Sequence, residues 1–439
     1  MTVPSPVDER LEGMPTFAEA LRVWGKIGLL SFGGPAGQIA LMHRVMVEEK
    51  RWIEDRQFLP ALNFCMLLPG PEAMQLATYI GWRLHGVRGG LCAGLLFVLP
   101  GAAVVLILSA FYALFGQAPA MMALFVGIKA AVLAIVIEAL VRVSRRALTG
   151  GGDLAISIAA FLCLFALQIP FPVVVLSAAL IGFLRNRGES VATGTRAPVQ
   201  VSHLATLRTV VIWLGVWALP LLAIWAFAGT DHVLTQLAWL FSKLAVVTFG
   251  GAYAVLAYMA QEVVEKFGWL SAGEMLDGLG LAETTPGPLI LVTEFVGYLA
   301  AYRHGGGPAL LLGILGASVA LWATFAPCFL WIFSGAPYVE QLNANPKLKS
   351  ALQAVTAAVV GVIANLALWF ALHTIFGRIT SWDAGPLQIA VPDLSTLNVL
   401  ALALALLAVA MLFILRRGIL LTLAVCGTLA LSVSSLMPS

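Results

Sequence analysis

Ionisable side chains inside apolar stretches are costly to bury, so they are the residues whose chemistry most needs explaining. Lys26 and Lys243 each stand five residues before a hydroxyl, Ser31 or Thr248, and each hydroxyl precedes Phe-Gly-Gly. The adjacent glycines, Gly33-Gly34 and Gly250-Gly251, favour a break in the helix. A broken helix exposes backbone N–H groups, and glycine lets an anion approach them closely. Two such copies facing one centre suit a small, doubly charged oxyanion. The plainer alternative is a lysine snorkelling to a span's end beside a glycine packing notch.

A second pair of motifs is Leu67-Leu-Pro-Gly-Pro-Glu-Ala-Met-Gln75 and Thr284-Thr-Pro-Gly-Pro-Leu-Ile-Leu-Val292. Pro69-Gly70-Pro71 and Pro286-Gly287-Pro288 cannot continue a helix, because two N–H donors are missing and the preceding residues are pushed extended. At membrane depth such backbone is tolerated only where it is buried or lines a wet cavity. A half-helix starting after the motif would aim its positive end at that cavity. Gln75, Thr284 and Thr285 add polar groups to the expected binding surface. Glu72 and Glu283 flank the breaks and are candidates for coupling or gating, or for plain helix capping. Lys129 and Glu294 are further intramembrane charges with the same candidate role. For Lys129 the alternative is an ion pair with another span.

These residues need elements to hold them, and composition says which. The chain has 439 residues, 60% of them hydrophobic and 11% charged, against about 25% charged in a soluble domain. Mean hydropathy is +0.95. This excludes a soluble enzyme, a disordered chain and a basic nucleic-acid binder, and leaves a polytopic α-helical membrane protein. The five cysteines lie in or beside apolar runs without a CxxC pair, as free buried hydrophobes do. No two of the six histidines are spaced as metal ligands on a helix, so no metal and no other cofactor is expected. Trp52 and Trp269 read as interfacial anchors. The polar N-terminus does not read as a cleavable signal peptide.

Residues 31–52 align without a gap on residues 248–269 at an offset of 217, with eight of 22 positions identical. The same offset carries the first Pro-Gly-Pro onto the second and Lys26 onto Lys243. The chain therefore duplicates one unit. The expected domains are an N-terminal repeat over 17–184, a polar loop and linking span over 185–235, and a C-terminal repeat over 236–436. Thirteen apolar segments are expected: 18–36, 58–82, 89–115, 119–141, 152–168, 170–184, 209–229, 236–258, 276–301, 307–334, 350–377, 397–415 and 418–436. Some short ones are candidates for half-helices that do not cross. Basic turns at Arg83/Arg88, Arg142/Arg145/Arg146, Arg185 to Arg208 and Arg416/Arg417 fall on one face, taken as cytoplasmic. The charge-balanced stretch Arg44 to Arg56 is then expected on the other. The N-terminus is inside, the C-terminus outside, and the second repeat enters upside down, as in many secondary transporters.

The chain resembles the chromate ion transporter family in its long form with two homologous halves. The resemblance rests on SFGGP at Ser31 to Pro35, TFGG at Thr248 to Gly251, LPGPEAMQ at Leu68 to Gln75, TTPGPL at Thr284 to Leu289 and VEEKRWI at Val47 to Ile53. It spans about residues 17 to 436. The halves differ: Gly251-Ala252 replaces Gly34-Pro35, and Leu289 replaces Glu72. The resemblance implies chromate efflux and resistance across the cytoplasmic membrane, with sulfate as a close mimic. Expected partners are chromate, sulfate as an alternative, the lipid bilayer and a second copy in a homodimer, and no nucleic acid. The other readings are a general oxyanion carrier and, from a different class, a non-transporting sensor or subunit.

Overall fold

The computed structural model describes residues 15–185, 203–247, 249, 252–339, 345–385 and 387–436. Its described part is built from sixteen α-helices and one β-hairpin. The first half holds α1 (Phe17–Leu30), α2 (Gly34–His43, prolonged by a π-helical turn to Glu49), α3 (Asp55–Leu67), α4 (Glu72–Phe115), α5 (Pro119–Ala147), α6 (Gly151–Phe165) and α7 (Phe171–Arg185). A linking helix, α8 (His203–Ala228), follows. The second half holds α9 (Val233–Val247), α10 (Ala252–Ala260, prolonged to Lys266), α11 (Ala272–Thr284), α12 (Val292–His304), α13 (Ala309–Gly335) and α14 (Pro346–Ile375). The hairpin β1 (Ile379–Ala384) and β2 (Leu387–Pro392) precedes α15 (Val399–Val409, prolonged to Ile414) and α16 (Ile419–Leu436).

The repeat is visible in backbone detail. The π-helical turns Arg44–Glu49 and Gln261–Lys266, and the helices α3 and α11, are related by the offset of 217. So are two left-handed pairs, Gly70 (φ 116°) with Gly287 (φ 96°) and Arg51 (φ 53°) with Gly268 (φ 61°). From α5 onward the offset becomes 227: Pro119 falls on Pro346, and Lys129-Ala-Ala-Val on Thr356-Ala-Ala-Val.

Four of the expected spans turn back inside the membrane. Helix α1 rises from a Thr16 N-cap that accepts the Glu19 N–H. Its 14 residues extend about 21 Å, short of the ~30 Å hydrocarbon core. After Ser31 the chain reverses, because Lys50 at the end of the second arm meets Glu19 at the start of the first at 2.9 Å. Helix α3 and the first arm of α4 form the next hairpin, with Phe64 and Tyr79 in ring contact at 6.2 Å. Helix α4 itself is bent double at His85 and Gly86 (φ 62°, ψ −156°). That turn lies against Phe17, so residues 17, 50 and 85 share one face, the N-terminal face.

The second half repeats the design from the opposite face. Lys243 meets Glu262 across α9–α10 at 3.3 Å, and Arg303 meets Glu274 across α11–α12 at 2.6 Å. Segments 18–36, 58–82, 236–258 and 276–301 are therefore re-entrant hairpins. Each hairpin was expected as one crossing, so pairs of them leave the parity unchanged. The stretch Arg44 to Arg56 was expected opposite the N-terminus; the Lys50–Glu19 contact puts it on the N-terminal face instead.

Among the described residues six helices are long and apolar enough to cross, α4, α5, α8, α13, α14 and α16, with α6, α7, α9 and α15 as shorter apolar helices. The halves interleave: α5 packs on α15 and α16, while α14 packs on α6 and α7. Close helix approaches rest on glycine, as membrane packing without a hydrophobic drive requires. A Cβ on Gly316 would lie 2.2 Å from the Gly297 carbonyl oxygen where α12 meets α13. Gly316→Leu should therefore lower stability by about 1–3 kcal/mol or more, read as a lower thermal-unfolding midpoint of the purified protein in detergent.

Candidate functional site

The three described hairpin tips, at residues 31–33, 69–71 and 286–288, lie in the interior. The tip after α1 belongs to the first half and the Pro-Gly-Pro tip before α12 to the second, yet they are bonded together. The Gly287 N–H donates to the Ser31 carbonyl at 2.8 Å. The fully buried Gln38 amide donates to the Gly287 carbonyl at 2.6 Å and to the Ser31 carbonyl at 3.2 Å. The Ser31 hydroxyl caps its own helix on Ile27 O at 2.6 Å. Across the pseudo-twofold, the first Pro-Gly-Pro tip adjoins the end of α9: Gly70 and Pro71 share a small space with Leu244, Ala245 and Thr293. Here the amide is Gln75, fully buried, which closes on its own tip by donating to the Pro69 carbonyl at 2.8 Å.

Glycine is required at both Pro-Gly-Pro tips by their left-handed backbone. Gly70 also leaves no room, since a Cβ there would meet Cys328 Sγ at 3.0 Å. Gly33 (φ 85°) and Gly34 (φ 67°) are left-handed too, but face open space.

Two cavities lead from the N-terminal face to these tips. The larger, about 740 Å³, is bordered by Gly70 and Glu72 at its inner end and by Arg146, Lys349 and Gln353 toward its mouth, with Pro60, Asn63 and Thr356 on its walls. The other, about 580 Å³, runs from Phe32, Gly33 and Glu283 to Arg416 and Arg417, past Glu138 and Arg142. Each holds one more cation than carboxylate among its lining residues. Arg142 is committed to Glu138, whereas Arg146, Lys349, Arg416 and Arg417 have no ion pair among the described residues. On the opposite face a cavity of about 200 Å³ near Asn365, Trp369 and Glu265 reaches none of the tips.

The expected residues take distinct places. Ser31, Gly33, Gly34, Pro69, Gly70, Pro71, Gln75, Pro286, Gly287 and Pro288 form the tips. Thr248, Gly250 and Gly251 lie outside the described residues. Thr284 and Thr285 turn their hydroxyls back onto Leu281 O and Ala282 O. The two lysines are not equivalent: Lys26 is exposed on the face of α1 that carries Arg22, with no ion pair among the described residues. Lys243 is held by Glu262 and lies 5.0 Å from the Tyr258 ring centroid. Glu283 accepts from the Tyr253 hydroxyl at 2.8 Å. Glu294 is 1% exposed, with one carboxyl oxygen unpartnered. Lys129 is paired with Asp277 at 3.4 Å.

Gln38 and Asp277 are functional candidates that the sequence did not single out. Asp277 sits in an apolar run and could have been found by the same burial cost that picks out Glu283. Gln38 had no such signal, since a lone amide after Phe-Gly-Gly is ordinary until the second tip is seen beside it. Gln38→Leu leaves two buried carbonyls without that donor, a loss of about 1–3 kcal/mol. The expected result is a lower unfolding midpoint in detergent, with Gln38→Glu, which places acceptor against acceptor, no better.

A family model described as chromate transporter matches residues 18–183 and 235–431. A probable chromate transport protein of Synechococcus elongatus is 32% identical over 340 residues, covering 77% of this chain and 81% of its own. The chromate transport protein of Cupriavidus metallidurans is 29% identical over 383 residues, 85% of this chain and 89% of its own. That of Pseudomonas aeruginosa is 33% identical over 345 residues, 77% of either chain. No solved structure gives a significant match.

Proposed function

The chain belongs to the chromate transporter family, and from that premise we propose that it is a secondary carrier exporting chromate across the cytoplasmic membrane and conferring resistance. One observation carries this reading: two cation-rich cavities run from a single face to the point where hairpin tips of opposite halves meet. Arg146 and Lys349 draw the dianion into the larger cavity, as a basic cleft with apolar walls focuses the field on an anion. The tip backbones and the first turn of α4, which Gln75 braces through the Pro69 carbonyl, then replace part of its water shell. Residues 31–34, 69–71, 248–251 and 284–288 form the binding surface in this reading. Glu72, at the inner end of the cavity, is the coupling or gating carboxyl nearest the substrate. Lys26, beside Arg22, adds field at the N-terminal side, while Lys243 acts only when Glu262 releases it.

Orientation follows from charge. Among the described residues, the cations of the opposite face and its hairpins are Lys129, Lys243, Lys266, Arg303 and Arg378, and each has a carboxylate partner. Unpaired basic residues gather on the N-terminal face, which the positive-inside rule makes cytoplasmic. The cavities then open inward, toward the substrate of an exporter. A dianion leaving through 100 mV gains about 4.6 kcal/mol, enough for a gradient of roughly 2,000-fold. Potential alone suffices, and proton coupling through Glu72 or Glu294 is an addition. Backbone N–H groups and cations recognise shape and charge that chromate shares with sulfate, so sulfate is the expected competitor.

The test is flux of labelled chromate in liposomes holding only this protein, with potential and pH gradient set separately. Potential-driven flux, competed by sulfate, is expected. Arg146→Ala and Lys349→Ala should each weaken apparent affinity by about tenfold with little change in maximal rate. Absence of flux under every gradient would reject the carrier reading in favour of a sensor or subunit.

A further inference from the structure

The two faces of this inverted repeat differ at one pair of equivalent contacts. The offset of 217 relates α3 to α11 and carries Pro60 onto Asp277; the offset of 227 relates α5 to α14 and carries Lys129 onto Thr356. Pro60 and Thr356 both line the large open cavity on the N-terminal side. Asp277 and Lys129 close on each other at 3.4 Å. Beside them α11 and α5 touch so tightly that a Cβ on Gly280 would lie 2.3 Å from Ile128 Cγ2. The Tyr112 hydroxyl, near the outer end of α4, also donates to Asp277 at 2.7 Å.

This cluster lies between the tips and the opposite face. Asp277 is three residues inward from Glu274, whose pairing with Arg303 closes the base of its hairpin. It also joins the halves, since Tyr112 and Lys129 belong to the first and Asp277 to the second. An inverted repeat reaches its second state when each half adopts the conformation of the other. The contact that is open on one face must then be the one that is closed on the other.

We infer that the α5–α11 contact is the second mouth of the pathway, latched by Lys129, Asp277 and Tyr112. When it opens, α3 and α14 pack together on the N-terminal side. Lys129, released from Asp277, becomes the cation that meets a divalent oxyanion on the outward side. The latch takes its purpose from the carrier reading above, but its first test needs no chromate.

The test uses full-length protein with its native cysteines replaced, in vesicles of known orientation, and a membrane-impermeant thiol reagent. Val132→Cys reports the closed cleft, where Val132 is fully buried beside Gly280. Leu352→Cys reports the open cavity. With the latch intact, Leu352→Cys should react from the N-terminal face and Val132→Cys from neither. Adding Lys129→Met with Asp277→Asn should raise Val132→Cys labelling from the opposite face at least about tenfold and slow that of Leu352→Cys. The exchanged pair Lys129→Asp with Asp277→Lys should restore the original pattern. Continued protection of Val132→Cys, with Leu352→Cys unchanged, would show that the pair only holds structure. Should the neutralised variant not fold, Val132→Cys with the latch intact is labelled during chromate turnover. A rise from the opposite face is expected, and continued protection while labelled chromate moves would overturn the inference. A shift in labelling without any chromate flux would keep the latch and reject chromate as the cargo.

Discussion

A backbone N–H or carbonyl left unpaired in hydrocarbon costs several kcal/mol, and this protein breaks its helices there four times. The architecture follows from how those breaks are satisfied. Neither tip of the Ser31–Gly287 pair can satisfy itself, because the prolines remove donors and the left-handed glycines turn carbonyls away from any helix ladder. Each becomes tolerable by meeting a tip from the other half, through the Gly287 N–H, the Ser31 carbonyl and the Gln38 amide. That meeting requires one half to enter from each face, so that half-helices of about 20 Å end at a common depth. The odd linking helix α8, the interleaving of α5 and α14 with the opposite half's last helices, and the glycines at close crossings all serve that arrangement.

Electrostatics then separates the faces. On the side opposite the N-terminus every described cation is matched by a carboxylate, and the equivalent contact is shut. On the N-terminal side the cations of the two cavities outnumber the carboxylates, and the way to the tips is open. In the carrier reading proposed above, an anion meets a field that draws it inward from one side only in this state. The halves have diverged at the residues that make this difference: Pro60 against Asp277, Thr356 against Lys129, Glu72 against Leu289. A symmetric scaffold with asymmetric charges can hold one conformation at rest and still have the other within reach.

Much of this was legible in the sequence, and the rest was hidden for physical reasons. The all-α membrane fold, the duplication and the family follow from composition, the 217-residue offset and the Phe-Gly-Gly and Pro-Gly-Pro motifs. The breaks themselves were predicted by proline and glycine. Whether a broken helix continues or turns back was not, since hydropathy is the same either way. Lys50 meeting Glu19 and Arg303 meeting Glu274 decide it, and such long-range ion pairs leave no local pattern. Lys26 and Lys243 looked equivalent by register. Only the fold shows Glu262, whose counterpart in the first half is Val45, holding one of them. Arg146 counts only toward a basic turn, and Lys349 is not singled out at all, until the cavity they both line is seen.

The tips, the cavities and the closed cleft all depend on the re-entrant hairpins. Glu49→Cys and Lys266→Cys, placed at equivalent exposed ends of the two π-helical turns, test them in a background without native cysteines. With the hairpins as described, an impermeant thiol reagent labels position 49 from the same face as the turn at His85–Gly86, and position 266 from the other. If each segment crossed instead, both assignments would be reversed, and the hairpin tips could not meet at a common depth.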